Sequence, residues 1–314
     1  MNLSTPLQLI PQYRDYVWGG QRLRPGQLTA EAWVVYEGDR IASGPYAGQT
    51  LAEVAAEDAD GLLGSRSAAQ TGVRFPLLIK ILDCAQWLSL QVHPDDEVAE
   101  RLEGPGTFGK TEAWHVLDAA AGAQLIAGMR PETTAEALTA AIRGGTILDW
   151  VQYQDVQPGD TIFMPARTIH ALGPGLLIYE VQQTSDITYR VFDWNRPATP
   201  GRVLHIEKSL AVANPSAAAP VRQAPALSTG EPVELVACPY FRLELIAAQG
   251  QPIAMATAGR TFHALTVIEG AAEIRSPAGR LVLNRFDSAV VPAACSRYEI
   301  RPLDGCRVLN ASIG

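Results

Sequence analysis

The chain has 314 residues, enough for about two domains of ordinary size. Its formal net charge is −8, which excludes a general electrostatic surface for nucleic acid or an anionic membrane, so an anionic ligand must be held by local cations. No segment approaches the roughly 18 apolar residues of a membrane-spanning helix, and the first residues lack a basic stretch followed by an apolar one. We therefore expect a soluble, cytoplasmic protein.

Short apolar runs separated by Gly, Pro and Asp recur along the chain, a pattern typical of β-sandwiches and β-barrels. The segment from Phe75 to Val92 predicts two short strands joined by a turn. Further strands are predicted at residues 31–36, 112–118, 123–129, 160–166, 176–183, 241–248, 262–274, 280–292 and 307–313. The predicted fold class is mainly β.

A single helical insertion interrupts the predicted strands, at about residues 132–145. Apolar side chains recur there at intervals of three and four residues, Thr133 or Thr134 can cap the start, and Gly144-Gly145 ends the helix. Farther along, residues 216–232 have the Ala-, Pro- and Ser-rich composition of an extended linker.

This linker predicts a division of the chain into two domains. We expect one domain at residues 1–215, which carries the helical insertion, and a second at residues 233–314. The second has strand signals like those of the first, so it is expected to repeat the same β architecture.

The stretch QVHPDD, residues 91–96, follows the second strand of the Phe75–Val92 segment. Gln91 and His93 lie two residues apart, so on a strand both side chains project from one face and can converge on one ion. Asp95 and Asp96 are interpreted as the turn that follows. A histidine that merely caps a strand end fits equally well, so this stretch alone does not decide between a metal site and a solvated turn.

The segment GKTEAWHVL predicts a strand that offers one metal ligand of two. Glu112 and His115 project from opposite faces of a regular strand, so they are not expected to bind the same ion. Choosing Glu112 adds a carboxylate to the candidate group, although simple hydration is the commoner fate of a glutamate. Lys110 shares the face of Glu112, and Lys80 is a lysine within an apolar strand, where burial without a partner is costly.

The segment GDTIFMPARTIH has the spacing with which cupin barrels close their metal pocket: Gly159, then Pro165, then His170. It departs from that pattern at Arg167, where glycine is usual. Nitrogen and oxygen ligands of these types suit a borderline divalent ion such as Zn²⁺. The candidate metal ligands are then Gln91, His93, Glu112 and His170.

Four segments in this order, LSLQVHPDD, GKTEAWHVL, PGDTIFMPARTIHALGPG and QQTSDITYRVFDWNR, resemble the type I mannose-6-phosphate isomerases (phosphomannose isomerases) in their short bacterial form. The resemblance covers residues 8–210 well and the remainder only in general pattern. It implies a bicupin, with two β-barrel or jelly-roll domains and a short helical insertion. It also implies one zinc ion per chain, held by Gln91, His93, Glu112 and His170.

The same resemblance implies a zinc-dependent isomerase that interconverts mannose 6-phosphate and fructose 6-phosphate through a cis-enediol. That reaction needs a base at carbon and electrophiles for the charge that develops on oxygen. The resemblance places Arg190, Lys110, Asp186 and Lys80 at the active site. Arg190 would stabilise the enediolate, Lys110 and Asp186 are candidates for the base or a proton relay, and phosphate binding is a role for Lys80 and Lys110.

Two other functions compete with the isomerase. One is a metal-containing cupin that binds a sugar phosphate without turnover, and the other is a metal-dependent oxygenase, which would favour a redox metal and more histidines. The joint presence of Arg190, Lys110 and Asp186 favours the enzyme. The expected partner is a small sugar phosphate, with no nucleic acid or membrane. The exact sugar, the base and the oligomeric state are left open, and His263, without ligand-type companions, predicts a metal-free second cupin.

Overall fold

The computed structural model of the chain describes residues 3–227 and 229–314. Two sequence predictions extend outside these residues: the first domain by residues 1 and 2, and the linker by residue 228. Within the described part the protein is mainly β, which confirms the predicted fold class. None of the helices described there is long and apolar enough to cross a membrane.

The described residues form strands of two to sixteen residues and five α-helices. The first strands are β1 (Leu7–Ile10), β2 (Gln12–Arg14), β3 (Glu31–Val35), β4 (Arg40–Ile41), β5 (Leu77–Cys84), β6 (Leu90–Val92), β7 (Glu112–Ala119), β8 (Gln124–Met129), β9 (Val151–Asp155), β10 (Thr161–Met164) and β11 (His170–Leu172). The others are β12 (Leu176–Gln183), β13 (Tyr189–Phe192), β14 (Val221–Arg222), β15 (Val233–Ala237), β16 (Arg242–Ala248), β17 (Ile253–Ala256), β18 (His263–Ser276), β19 (Gly279–Asn284), β20 (Ser288–Val291) and β21 (Arg297–Ser312). The helices are α1 (Leu51–Glu57), α2 (Ala59–Thr71), α3 (Asp96–Glu103), α4 (Ala135–Gly144) and α5 (Ile206–Val212).

The chain divides into two compact units. The terminal unit consists of Met1–Tyr13, Ala32–Ile81 and Pro225–Gly314, and the central unit of Arg14–Glu31 and Leu82–Ala224. The boundaries of these units differ from those of the predicted linear division at 1–215, 216–232 and 233–314. That division stays a prediction.

In the terminal unit, strands from both ends of the chain share one sheet. Its order is β15-β16-β21-β18-β20-β1-β4, and β17 and β19 pair with β21 and β18. The N-terminal strand β1 is antiparallel to β20, with Leu7 opposite Val290. Buried apolar side chains, among them Leu265, Val267 and Val308, fill the core. The N-terminal segment is therefore part of the same sheet as the C-terminal strands.

The central unit contains strands of two sheets. Strands β14, β10, β7 and β12 run side by side in that order, and the order of the other sheet is β13-β6-β11-β8-β9. One apolar cluster includes Trp114 and Ile162, and a second includes Leu90 and Ile126. The strands that carry QVHPDD and the cupin-type histidine, β6 and β11, are neighbours.

The predicted helical insertion is α4, and both predicted signals cap it. The Thr134 side chain accepts a hydrogen bond from the Ala137 N–H, and Gly145 ends the helix with a left-handed φ of 71°. The prediction that this helix is alone was wrong, because α1, α2, α3 and α5 are also present. Three of these four helices, α1, α3 and α5, have only seven or eight residues, which is too few for a clear apolar periodicity.

The interpretation of Asp95 and Asp96 as a turn was also wrong. Asp95 is the N-cap of α3, with its carboxylate accepting a hydrogen bond from the Val98 N–H, and Asp96 is the first helical residue. Carboxylates are favoured at both positions because they satisfy free N–H groups and face the positive end of the helix dipole.

Two other predicted segments differ from the structure. Residues 280–292 form two strands, β19 and β20, because the Asn284–Asp287 turn separates them and Phe286 takes a φ of 73°. The predicted linker is partly built into the central unit: Val221 and Arg222 form β14 against β10, and Ala219 is fully buried. A segment with the composition of a linker therefore still pairs with a strand of the central unit.

Candidate metal centre

The five-stranded sheet of the central unit sets three predicted site residues in one row. Gln91 on β6 lies opposite His170 on β11 and opposite Arg190 on β13. Residues directly opposite each other on antiparallel strands project from the same face. His93, two residues after Gln91, continues on that side.

The other sheet supplies the carboxylate. Glu112 begins β7, opposite Met164 on β10 and Gln182 on β12. Its carboxylate lies 3.3 Å from His170 Nε2 and 3.7 Å from His93 Nε2. The ligand atoms of His93, Glu112 and His170 all lie within 4.8 Å of one another, and the three residues are buried. Side chains predicted from three separate motifs thus meet at one point.

One of the two candidate residues of β7 lies in this group and the other does not. Glu112 belongs to the buried group, whereas His115 hydrogen-bonds through Nδ1 to Thr161 Oγ1 at 2.9 Å. His115 is itself buried, which agrees with a packing role.

Both histidines of the group are oriented by backbone carbonyls. His93 Nδ1 donates to Ile187 O at 2.7 Å, and His170 Nδ1 donates to Thr168 O at 2.8 Å. A carbonyl oxygen only accepts, so each Nδ1 carries a proton, and in the neutral ring Nε2 then keeps its lone pair. Burial lowers the pKa of His170 to about 4, which keeps its ring neutral at pH 7.

Lys110 lies within the same group. Its Nζ is 2.8 Å from Glu112 Oε2 and 3.1 Å from His93 Nε2, and the side chain is almost fully buried. An ammonium group only donates, so the short distance to His93 again requires a lone pair on Nε2. The lysine offsets the charge of Glu112, which reduces the cost of burying that carboxylate.

The residues present fit a bound divalent metal ion. Two neutral imidazoles present Nε2 atoms toward one carboxylate, and the amide of Gln91 projects from the same sheet face as His170. His170 Nε2 makes no hydrogen bond within residues 3–227 and 229–314, so it is available as a ligand atom. Mixed nitrogen and oxygen donors favour a borderline ion over calcium, which requires more oxygens.

A network that the sequence did not suggest fixes the loop before Glu112. Asp96 Oδ1 accepts hydrogen bonds from the Gly109 N–H at 2.7 Å and from the Gln183 side-chain amide at 2.9 Å. Gln183 Oε1 in turn accepts from the Thr111 N–H at 2.8 Å. The bonded backbone groups flank Lys110 directly, so Asp96 and Gln183 position that lysine.

Arg190 is partly buried and held from two sides. Its Nη1 donates to Val203 O at 3.0 Å, and its backbone N–H donates to His205 Nδ1 at 3.1 Å. Burial, followed by the nearby charge of Arg202, lowers the pKa of Arg190 from its usual value. An arginine still keeps its charge near neutral pH. On the five-stranded sheet, Arg190 lies directly opposite Gln91.

The two remaining predicted residues lie outside the buried group. Asp186 is exposed in the loop between β12 and β13, and its carboxylate makes no hydrogen bond or ion pair within the described residues. Lys80 on β5 belongs to the terminal unit, where it is buried with its Nζ 5.2 Å from the centre of the Trp33 ring. Their roles stay predictions.

The departure from the cupin pattern at Arg167 has a structural explanation. Arg167 takes a φ of 71°, the left-handed conformation that glycine adopts without strain. Its N–H donates to His93 O at 2.7 Å and its Nε to Val212 O at 3.0 Å. These bonds help to hold an arginine in the backbone conformation for which the pattern prefers glycine.

The chain is similar to phosphomannose isomerases in both sequence and structure. The family model described as phosphomannose isomerase type I, catalytic domain, matches residues 7–107. The chain is 35% identical to the mannose-6-phosphate isomerase of Streptococcus mutans over 95% of both chains. It is 33% identical to mannose-6-phosphate isomerase ManA of Bacillus subtilis, over 97% of this chain and 98% of the relative. The crystal structure of the mannose 6-phosphate isomerase from Bacillus subtilis matches with a TM-score of 0.81 at 29% identity, over 98% and 99% of the two chains.

Proposed function

The chain belongs to the type I phosphomannose isomerase family, and on this premise we propose that it interconverts mannose 6-phosphate and fructose 6-phosphate. Near full-length relatives that carry this activity in their names support the proposal. Within the molecule, it rests on one observation: a buried lysine in contact with a His–Glu–His group.

We propose Zn²⁺ as the metal, held by His93, Glu112 and His170 with Gln91 as the fourth ligand. The neutral Nε2 atoms and the single carboxylate leave net positive charge on a bound divalent ion. When bound, the ion supplies a Lewis acid that orients and polarises the substrate oxygens. The fixed Nδ1–H tautomers support this assignment, since a metal-bound histidine usually donates its second nitrogen to a carbonyl or carboxylate.

The reaction moves protons without an external oxidant. One proton leaves carbon 2 of the open-chain aldose and one is added to carbon 1, while a second proton passes between the oxygens of these carbons; the intermediate is a cis-enediol. Lys110 is the better placed of the two candidates for holding or moving a proton, because its Nζ lies in the buried group and Asp186 is exposed. Arg190 would stabilise negative charge on the enediolate oxygens.

The remaining roles concern the rest of the substrate. The family resemblance implies phosphate binding as a role for Lys110 and as a role for Lys80, and we retain each as a separate proposal; both lysines are buried. We propose a sugar phosphate as the small-molecule partner and the cytoplasm as the location. The acidic net charge supports the absence of nucleic-acid and membrane partners.

A coupled assay tests the proposed activity. Purified protein is stripped of metal with a chelator, and mannose 6-phosphate is then supplied with enzymes that consume fructose 6-phosphate. Restoring Zn²⁺ should restore turnover. Binding of mannose 6-phosphate with a flat trace in the zinc-loaded protein would contradict the isomerase and favour the binding protein without turnover.

A further inference from the structure

A cavity that the proposed reaction does not use lies in the terminal unit. It has a volume of about 450 Å³, within the range of roughly 300–1,000 Å³ common for small-molecule sites. None of its lining residues belongs to the central unit. The polar part of its lining includes Arg66, Arg242, Glu244, Arg260 and His263.

Three arginines and one glutamate line this cavity. Arg242 is paired with Glu234 at 3.1 Å and lies 3.9 Å from Glu244. Arg66 and Arg260, in contrast, make no ion pair with any described residue. The Arg66 N–H donates to Arg260 O at 2.9 Å, so the two residues are held side by side. Two arginines that line one cavity and have no carboxylate partner among the described residues suit an oxyanion, which a guanidinium can bind in a bidentate manner.

The inner wall adds a buried donor. His263 is 8% exposed, and its Nδ1 lies 2.8 Å from the Tyr298 hydroxyl. Burial raises the pKa of Tyr298 well above its usual value, so the phenol stays protonated and can donate or accept a hydrogen bond. Burial also lowers the pKa of His263 to about 4, so the ring is neutral at pH 7. The other ring nitrogen, Nε2, has no hydrogen-bond partner within the described residues, and it carries the ring proton when the phenol donates to Nδ1.

We propose that this cavity is a binding site for a small ligand that carries a phosphate group. Arg66 and Arg260 contact the phosphate oxygens at the rim, and His263 donates a hydrogen bond from the wall. The two unpaired positive charges match a dianion better than a monoanion, which favours phosphate over a simple carboxylate. The site is independent of the proposed isomerase activity.

Histidine resonances provide a direct test in the zinc-loaded full-length protein. The chain has five histidines, so the His263 imidazole signal can be assigned by its loss in His263→Gln. Inorganic phosphate is titrated at constant ionic strength and pH 7.5. A saturable shift of the His263 signal is expected, and acetate is expected to bind at least about tenfold more weakly. A shift that does not saturate, or equal affinity for acetate, would overturn the proposal.

Charge-matched variants separate the site from general electrostatics. Arg66→Gln with Arg260→Gln should weaken phosphate binding about tenfold or more, since charge-assisted hydrogen bonds are lost. Both side chains are exposed, so the fold should tolerate the change. The control pair is Arg280→Gln with Arg307→Gln, whose partners are Glu273 and Glu269 and which removes the same charge from the same unit. Equal affinity in the two double variants would contradict the assignment.

Discussion

The two compact units bury histidines in a similar way but give them different neighbours. Burial lowers the pKa of both His170 and His263 to about 4, so each ring is neutral at pH 7. His170 faces the carboxylate of Glu112, whereas His263 bonds to the phenol of Tyr298. Burial thus fixes the protonation state in both units, and the neighbouring side chain decides whether the imidazole suits a metal ion or hydrogen bonding to an anion.

The largest effect is expected when His170 is removed. His170→Ala should lose bound metal and reduce turnover by about 100-fold or more, since even residues that only support a metal ligand are worth 10–100-fold. Metal content after dialysis and the coupled assay measure both. The matched control is His263→Ala, which should retain metal and activity. A His170→Ala protein that keeps stoichiometric metal would remove this residue from the ligand set.

Variants of Arg190 should separate metal binding from turnover. Arg190→Ala should retain metal, because the side chain is not in the His–Glu–His group, yet lose about 100-fold in kcat if it stabilises the enediolate. Arg190→Lys should recover part of the loss because it restores the charge without the planar donor pair. Near-normal turnover of Arg190→Ala would rule out the proposed role.

His263 should make the free energy of unfolding depend on pH. Its pKa is about 4 in the folded protein against 6.5 when unperturbed, so as pH falls below 6.5 the unfolded chain gains a proton that the folded chain does not. The free energy of unfolding should therefore fall by about 2 kcal/mol between pH 7 and 4.5 through this group. Denaturant titrations in phosphate-free buffer should show a smaller fall for His263→Gln. Identical pH profiles would contradict the buried neutral ring.

The smallest effect is expected for the network that positions Lys110. Asp96→Ala removes the acceptor for Gly109 and Gln183, so kcat should fall about tenfold with metal retained. Asp96→Asn keeps an oxygen at the same place and should recover most of the activity. The exposed neighbour Glu97 serves as a control, and Glu97→Ala should behave like wild type. If Asp96→Asn were as impaired as Asp96→Ala, the network would not act through this acceptor.

The buried group of His93, Glu112 and His170 was largely predictable because local patterns specify its members. Strand alternation put Gln91 and His93 on one face, and the cupin spacing selected His170. Alternation left Glu112 and His115 as alternatives, of which Glu112 adds a carboxylate to the group. The amide of Gln91 as a ligand came chiefly from the family resemblance. The network of Asp96 with Gln183 could not be predicted, because the two residues lie 87 positions apart and meet only through the fold.

The fold shows the same division between local and long-range information. The ends of α4 followed from Thr134 and Gly145, whose capping preferences are local. Signals for α1 and α3 were also present, as the Thr50–Glu53 capping box and Asp95, but these helices are too short for periodicity to support them. The pairing of β1 with β20 has no local signal, which is why the sequence suggested a linear order of domains.

That pairing determines when the terminal unit can be completed during synthesis. A ribosome makes β1 long before its partner Ser288–Val291. The central unit, by contrast, is entirely synthesised by residue 224. Until the final strands emerge, β1 is an uncovered edge strand, which is prone to pairing with other chains. Completion of the terminal sheet therefore waits for residues 288–291, and a nascent polypeptide stalled before residue 288 is expected to be prone to aggregation.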